Sequence, residues 1–472
     1  MPIKVVLAPQ IDFSVLRREL DLPGEFPEAV LAEAERVARE TSLPVADRTD
    51  VPFVTIDPAT SRDLDQAMHL SRRAGGGYRV RYAIADVASY VRPGGAIEAE
   101  SWVRGQTVYL PDGRIPLHPP VLSEDAVSLL PGGDRAAVVW TVDLDADGAT
   151  VAVELERARV RSRAKLDYAG VQRQVDAGTA EEPVALLPEI GTLLARRAAE
   201  RGAVNLPLPS QEVERDGDGW RLVLRAPLPV EEHNAQISLL TGMAAARIML
   251  DAGVGLLRTM PAPKPEAVEK LRLAAESLGV AWAEGASVGE VVAGVDPASP
   301  RGAAFLDQAA DLLRGAGYTA FGADAPPPAD AGHGGVGAPY AHVTAPLRRL
   351  ADRYATEICL SVYAKSTIPT WAAQALPRLP KAMSTTDRVA SAADRGAIDL
   401  AEAVLLEHRV GETFEVAVLD RDEGNGRPRG TVALDDPAVR ARCSGDLPLG
   451  RRVEARLTEA DPATRNVRFE YP

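Results

Sequence analysis

Thr55–Ala67 reads TIDPATSRDLDQA and places Asp57, Asp63 and Asp65 within nine residues, directly after the apolar run VPFVTI. β-branched and aromatic residues at that density indicate a strand. The first aspartate then stands at the strand's tip, and the other two return in a loop for which Pro58 and Ser61 suit the turn. Carboxylates so close repel one another unless something cationic sits among them, and the stretch contains no lysine. Hard cations such as Mg²⁺ take oxygen ligands, typically a few carboxylates with substrate phosphates and water completing the set. A calcium loop is excluded, because the aspartate spacings are six and two and no glycine succeeds them. On the residues alone two readings stay open: a metal site, or a solvated acidic loop with Asx turns.

Two further stretches bear on that choice. HVTAPLRRLADR (342–353) predicts a helix with Thr344 as its N-cap and Pro346 in the first turn. Arg348 and Arg349 would then lie near the helix's positive end, a good place to hold a phosphate. In ERARVRSRAKLDY, Arg157, Arg159, Arg161, Arg163 and Lys165 recur at every second residue, so a strand puts them all on one face. That face is either a charged edge guarding against stray pairing or a basic wall along a nucleic-acid backbone. Acidic metal ligands plus an arginine are what phosphodiester hydrolysis requires: metals to activate water and support the leaving oxygen, and a cation for the equatorial charge.

The chain has 472 residues, 53 Lys and Arg against 67 Asp and Glu, and a formal charge of −14, which argues against duplex binding through a globally basic surface. The length predicts several domains. Cys359 and Cys443 belong to no CxxC or Cys/His cluster, so neither a disulfide framework nor structural zinc is expected. With no apolar signal core and no membrane-length apolar run, the expectation is a cytoplasmic protein without membrane partners. Residues 1–48 predict two short helices, either a helix-turn-helix-like module or a cap on the neighbouring domain. Strand patterns from 50 to 165 and then helices to 405 predict an α+β domain over 49–405. Short strands over 406–472 predict a small β-barrel of OB type. The six histidines are scattered, and none is assigned a catalytic role.

The stretches TIDPATSRDLDQA, YAIADVASYV, GQTVYLPDGRIPLHPPVLSEDAVSLLPGGDR, RSRAKLDYAGV, RGAVNLPLP, VEEHNAQISLL and YAHVTAPLRRLADR, in this order across Val51–Leu405, resemble the RNase II (RNB) family. The resemblance implies a mixed sheet flanked by helices that form a channel for single-stranded RNA. Two Mg²⁺ ions, with Mn²⁺ as the alternative, would hydrolyse the 3′-terminal linkage processively and release nucleoside 5′-monophosphates. A closed channel suits attack from an end, since only a strand end can be threaded. By position, Asp57, Asp63 and Asp65 correspond to metal ligands, with Asp65 the one most tied to catalysis. Arg348 corresponds to the arginine that stabilises charge on the scissile phosphate. Tyr109 matches an aromatic that stacks on terminal bases, and Glu231 a carboxylate near the last ribose. Arg349, Arg161 and Arg163 join the expected RNA contacts, and a monomer is expected. Tyr340 and His342 also match family positions, with structural roles the expectation, and Asp86 matches one where it would either support the metal ligands from behind or serve the fold.

Three departures stand out. Where the family has a fourth aspartate, this chain has Gln66, whose amide oxygen would ligate a metal without charge and weaken one site. Leu206 replaces a phenylalanine, which leaves the stacking clamp one-sided. The 50 residues before Val51 are too few for two cold-shock barrels, so the channel mouth is expected to be open to RNA with a duplex beside a 3′ overhang. Gln66 also keeps a rival in view, a non-catalytic RNA-binding protein on the same fold. A small-molecule phosphoesterase is disfavoured by the C-terminal barrel and the arginine-lined strand.

Overall fold

The computed structural model describes residues 9–206, 209–323, 325–422 and 428–472. Two short helices, α1 (Ser14–Glu19) and α2 (Glu28–Glu40), lead into strands β1 (Phe53–Asp57), β2 (Gln66–Arg72) and β3 (Tyr78–Ala85). After them come helix α3 (Ala96–Arg104), the small hairpin β4 (Val108–Leu110) and β5 (Gly113–Ile115), and the long strands β6 (Asp134–Leu144) and β7 (Thr150–Asp167). Strands β1, β2, β3, β6 and β7 close into a barrel, where the resemblance implies only a mixed sheet. Closure depends on the length of β7. Its first part pairs antiparallel with β6, and its end pairs in parallel with β1, setting Asp57 opposite Asp167 and Thr55 opposite Lys165. The β2–β3 turn needs glycine: at Gly77 φ is 80°, and a Cβ would lie 2.2 Å from the Leu144 carbonyl oxygen.

Both faces of these strands are buried, which accounts for near-continuous apolar runs such as AAVVWTV. Tyr82, Val138, Trp140 and Val142 pack into one core with later helices, whereas Ala83, Ala85, Ala137 and Val139 pack with α2 in another. Next come α4 (Tyr168–Asp176), α5 (Leu187–Glu200), the hairpin β8 (Ser210–Asp216) and β9 (Gly219–Arg225), and the long helix α6 (Pro229–Ala252). Strands β10 (Gly255–Thr259) and β11 (Gly317–Phe321) pair and pack into the main core, and helices α7 (Pro265–Leu278), α8 (Val288–Ala293) and α9 (Pro300–Ala310) between them have their own apolar cluster. Two bridging strands, β12 (Gly332–His333) and β13 (Ala338–Pro339), precede α10 (Leu350–Tyr363), α11 (Thr370–Ala375) and α12 (Leu379–Leu406).

Strands β14 (Thr413–Asp422), β15 (Arg429–Leu434), β16 (Val439–Ser444), β17 (Arg452–Asp461) and β18 (Asn466–Glu470) close the expected C-terminal barrel in the order β14-β15-β16-β18-β17. It docks on the rest through polar clasps. Glu402 of α12 accepts the Arg440 backbone N–H at 2.7 Å and the Gln211 amide at 2.7 Å, and Asp307 of α9 pairs with Arg440. The two N-terminal helices pack against different parts of the molecule. Phe13, just ahead of α1, sets its ring edge-on to Trp220 of β9 at 5.3 Å, and Leu16 of α1 joins the apolar cluster of α12, whereas Val30, Ala34 and Val37 of α2 join the first barrel's core. Among the described residues no helix is long and apolar enough to cross a membrane.

Helix α6 and the 338–347 segment touch at a point with no spare room. The Ala341 N–H donates to the Gly242 carbonyl at 3.1 Å, and a Cβ on Gly242 would sit 2.1 Å from Tyr340 Cε2. Gly242→Ala is therefore expected to cost about 1–3 kcal/mol by overpacking, read as a lowered midpoint in urea. An unchanged midpoint would show that the segment is not held against α6.

Candidate active site

The loop that carries the three aspartates is met by two other parts of the chain. Asp57 ends β1, and Asp63 and Asp65 return toward β2, where the Ala85 N–H donates to the Asp65 carbonyl at 2.9 Å. The segment 345–350 is stitched alongside the approach to β4: the Thr107 N–H donates to the Arg348 carbonyl and the Leu350 N–H to the Gly105 carbonyl, each at 3.0 Å. Asp65 is the buried centre. Its carboxylate accepts the Leu347 N–H at 2.7 Å and faces Arg348 Nε at 3.5 Å. Half of the Arg348 side chain stays exposed, so its remaining donors are open to a ligand.

That stitching also revises the expected helix. The Leu347 N–H goes to Asp65 and the Ala345 N–H to Asp352 at 2.7 Å, so side chains elsewhere take donors from the residues expected to begin a helical turn. The helix starts at Leu350, and Thr344 instead bonds Ser238 of α6 through its hydroxyl at 2.9 Å.

Electrostatics mark the cluster as short of positive charge. Burial pushes the Asp65 carboxyl up to about 8, offset in part by Arg348 and the Leu347 N–H, with Asp352 and Asp63 adding repulsion. Burial and Asp63 raise Asp57 to about 6, against the pull of Arg348 and of Lys165, a neighbour brought in by the β1–β7 pairing. Asp63 is met by Arg114 and, at 3.5 Å, by the Tyr109 hydroxyl. Among the described residues no three acidic, histidine or cysteine side chains draw together into a complete metal-ligand set. The donor chemistry nevertheless fits a hard cation, which needs only one or two carboxylates beside phosphate and water. Asp65 is buried and Asp57 half-buried, and the neighbours of both leave them short of compensation.

The other expected site residues divide into three groups. Tyr109 is on the cluster's rim and is 48% exposed. Leu206 and Glu231 share a different wall, lining a cavity of about 270 Å³ together with Arg201, Asn205 and Gln236. Glu231 also accepts the Leu228 N–H at 2.7 Å and pairs with Arg225 at 2.6 Å, so it caps α6 as well. Tyr168 bridges the two walls: its hydroxyl accepts from the Asn234 amide at 3.1 Å, and its pKa is raised by burial and by the charges of Asp57 and Glu231. A third group is committed to protein partners. The Gln66 amide donates to the Thr344 carbonyl and its oxygen accepts the Tyr82 hydroxyl at 3.1 Å, which corrects its placement as a metal ligand to that of a brace behind the cluster. Arg349 is clamped to Asp352, which is fully buried, so it holds the loop instead of presenting a free cation. Arg161 pairs with Asp134 and Arg163 donates to the Thr49 carbonyl at 2.7 Å. Arg157 pairs with Asp86 and Glu357, and Arg159 with Asp47, so the expected basic stripe is largely neutralised. Tyr340 and His342 stack edge-on at 5.4 Å, and His342 shares a 2.7 Å hydrogen bond with the Tyr318 hydroxyl.

Arg114 and Tyr168 are neighbours to which the motifs assign no role, and Lys165, expected on the basic stripe, acts on Asp57 instead. A register argument does reach Arg114: the PDG turn in TVYLPDGRI sets Tyr109 opposite Arg114 across the hairpin.

The chain is similar to known proteins along most of its length. The RNB domain family matches residues 45–364, and the RNase II-type exonuclease C-terminal S1 domain matches residues 412–471. Ribonuclease R of Thermotoga maritima is 26% identical over 440 residues, covering 87% of this chain and 60% of the relative. Ribonuclease R of Escherichia coli is 29% identical over 364 residues, covering 71% of this chain and 43% of the relative. The chain thus spans about half the length of these curated relatives. Among solved structures, Mycoplasma genitalium RNase R in complex with ribose-methylated single-stranded RNA superposes with a TM-score of 0.85 at 18% identity, over 98% of this chain and 77% of that one.

The geometry leads to two measurable outcomes. A divalent cation must displace protons from Asp65 and Asp57, so Mg²⁺ affinity of the metal-free protein should rise with pH from about 6 to about 8. Calorimetry in buffers of different ionisation enthalpy should show protons released at pH 7; a pH-independent affinity would contradict the assignment. Separately, Arg349→Ala strands the buried Asp352 charge and should cost about 3–5 kcal/mol in denaturant titration. A residue serving only RNA would leave that midpoint unmoved.

Proposed function

The chain belongs to the RNB-domain family, and from that premise we propose that it is a 3′→5′ exoribonuclease that shortens single-stranded RNA and releases nucleoside 5′-monophosphates. The observation that carries the reading is the buried, charge-deficient Asp65 directly beneath a half-exposed Arg348, with the exposed Tyr109 at the rim. Asp65 orients the Arg348 guanidinium, whose free donors are placed to meet charge growing on a scissile phosphate. Tyr109 offers a stacking face to a terminal base. The cavity beside Leu206 and Glu231 is polar enough at its Glu231 and Asn205 side to receive a ribose, and contact with a 2′-hydroxyl there would select RNA over DNA.

Asp57, Asp65 and Asp63 would hold Mg²⁺, or Mn²⁺ in its place, which supplies an activated water and support for the leaving oxygen. The C-terminal barrel presents Arg442 and Arg468 along a cavity of about 630 Å³, a place for the strand upstream of the reacting end. We place the protein in the cytoplasm, acting as a monomer. A second reading, RNA binding without hydrolysis, has its own support in Gln66 and Arg114, which remove one expected carboxylate and neutralise another.

One experiment separates the two. With 5′-labelled oligoribonucleotide and Mg²⁺, the parent should give a ladder shortening from the 3′ end, and Asp65→Asn should give none. Arg348→Ala should lose about 10²–10³ in rate, the scale of removing one transition-state donor. Intact RNA in every lane, with binding retained in a gel shift, would establish the second reading.

A further inference from the structure

Arg114 is placed for a role that its position in a surface hairpin does not suggest. Its strand neighbour across the hairpin is Tyr109, and both side chains reach Asp63. The guanidinium donates to Oδ1 and the phenol to Oδ2, so one hairpin addresses both oxygens of that carboxylate. The second arm of the guanidinium pairs with Glu124 at 2.7 Å, and Glu124 is approached in turn by Arg62 at 3.8 Å. Arg114 is therefore gripped from two sides, and only 23% of its side chain is exposed.

The hairpin that carries it is also rigid. Val108, Leu110 and Ile115 are buried in the cluster formed with Phe13 and Leu16, and Asp112 in the turn makes a two-pronged pair with Arg17, both contacts at 2.8 Å. Swinging Arg114 aside would strand Asp63, which is 11% exposed, and remove the partner of Glu124. Stranding a buried charge is unfavourable. The remainder of the cluster differs. Asp57 has no hydrogen bond or ion pair to any described residue that compares with these, and Asp65 keeps one oxygen toward the half-exposed Arg348. The position after Asp65, where a further carboxylate would add negative charge, is an amide committed to Tyr82 and Thr344.

Charge decides what such a cluster accepts. With Glu124 on the second arm of Arg114 and Lys165 beside Asp57, four carboxylates face the guanidiniums of Arg114 and Arg348 and one ammonium, which leaves one negative charge over. One divalent cation brings the group close to neutrality, while a second would leave it strongly positive in a partly buried site. We propose that Arg114 is a resident cation of the acidic cluster, neutralising Asp63 permanently so that the chain holds one divalent ion and not two. The proposal rests on the reading of the cluster as a metal site and adds how many ions that site takes. Arg114 acts through Asp63 and is a positioning residue in this scheme, not a group that touches the reacting atoms.

The test counts ions. Metal-free full-length protein is titrated with Mn²⁺, the free ion being monitored by electron paramagnetic resonance, with and without AMP as a probe of the terminal phosphate. The expected result is one Mn²⁺ per chain for the parent and for Arg114→Lys, and two for Arg114→Met. The rate of RNA shortening should depend on the first power of Mg²⁺ concentration in the parent and approach the second power in Arg114→Met. Two ions bound by the parent would overturn the proposal whatever the variant does. So would a single ion bound by an Arg114→Met protein that still melts cooperatively. No Mn²⁺ bound by the parent would remove the metal site itself, a failure of the underlying reading that the RNA ladder would register independently.

Discussion

A carboxylate held out of water beside other carboxylates is the constraint around which this protein is arranged. Asp65 has almost no exposure, yet the only close donors to its side chain among the described residues are one backbone N–H and one arginine, both from residues far along the chain. Removing either contact would leave a buried charge with a penalty of several kcal/mol. The loop 344–349 is consequently built to deliver those donors. It forgoes helical structure, lends its N–H groups to Asp65 and Asp352, and is braced by Gln66, Ser238 and Arg349.

The same constraint organises the opposite side. The β4–β5 hairpin brings a phenol and a guanidinium to Asp63, and the Thr107 and Gly105 backbone joins that hairpin's approach to the arginine loop. Acidic loop, hairpin and arginine loop thus form one mechanically coupled unit. The barrel strands supply its fixed base, since β7 aligns both Asp167 and Lys165 against β1. Surface pairs such as Arg36–Glu40 contribute little by comparison, being solvated and screened.

The arginine ladder on β7 shows how strongly context decides the use of a charge. Alternation correctly puts Arg157, Arg159 and Arg161 on one face, opposite the buried Ala158, Val160 and Ser162. Carboxylates from Asp86, Glu357, Asp47 and Asp134 then meet them there. What reads as a wall for a polyanion is largely an internal seam joining the barrel to its surroundings. Arg348, half of whose side chain stays exposed, is a better placed cation.

The order of strands and helices and the C-terminal barrel were legible in the chain because each rests on local period, whereas the meeting of Asp65 with Arg348 was reached through the family resemblance and not through any local pattern. Closure of β1, β2, β3, β6 and β7 into a barrel was not legible, since nothing local states that the end of β7 returns to β1. The roles of Gln66, Arg349 and Arg161 were also beyond reach. Whether an amide ligates or braces, and whether an arginine faces ligand or carboxylate, depends on partners that only the folded chain brings near. Sequence alone determined which chemical groups were present and roughly where each local element would lie. Tertiary structure alone decided which charges were left uncompensated, because burial and long-range pairing set the strength of every electrostatic interaction in the site.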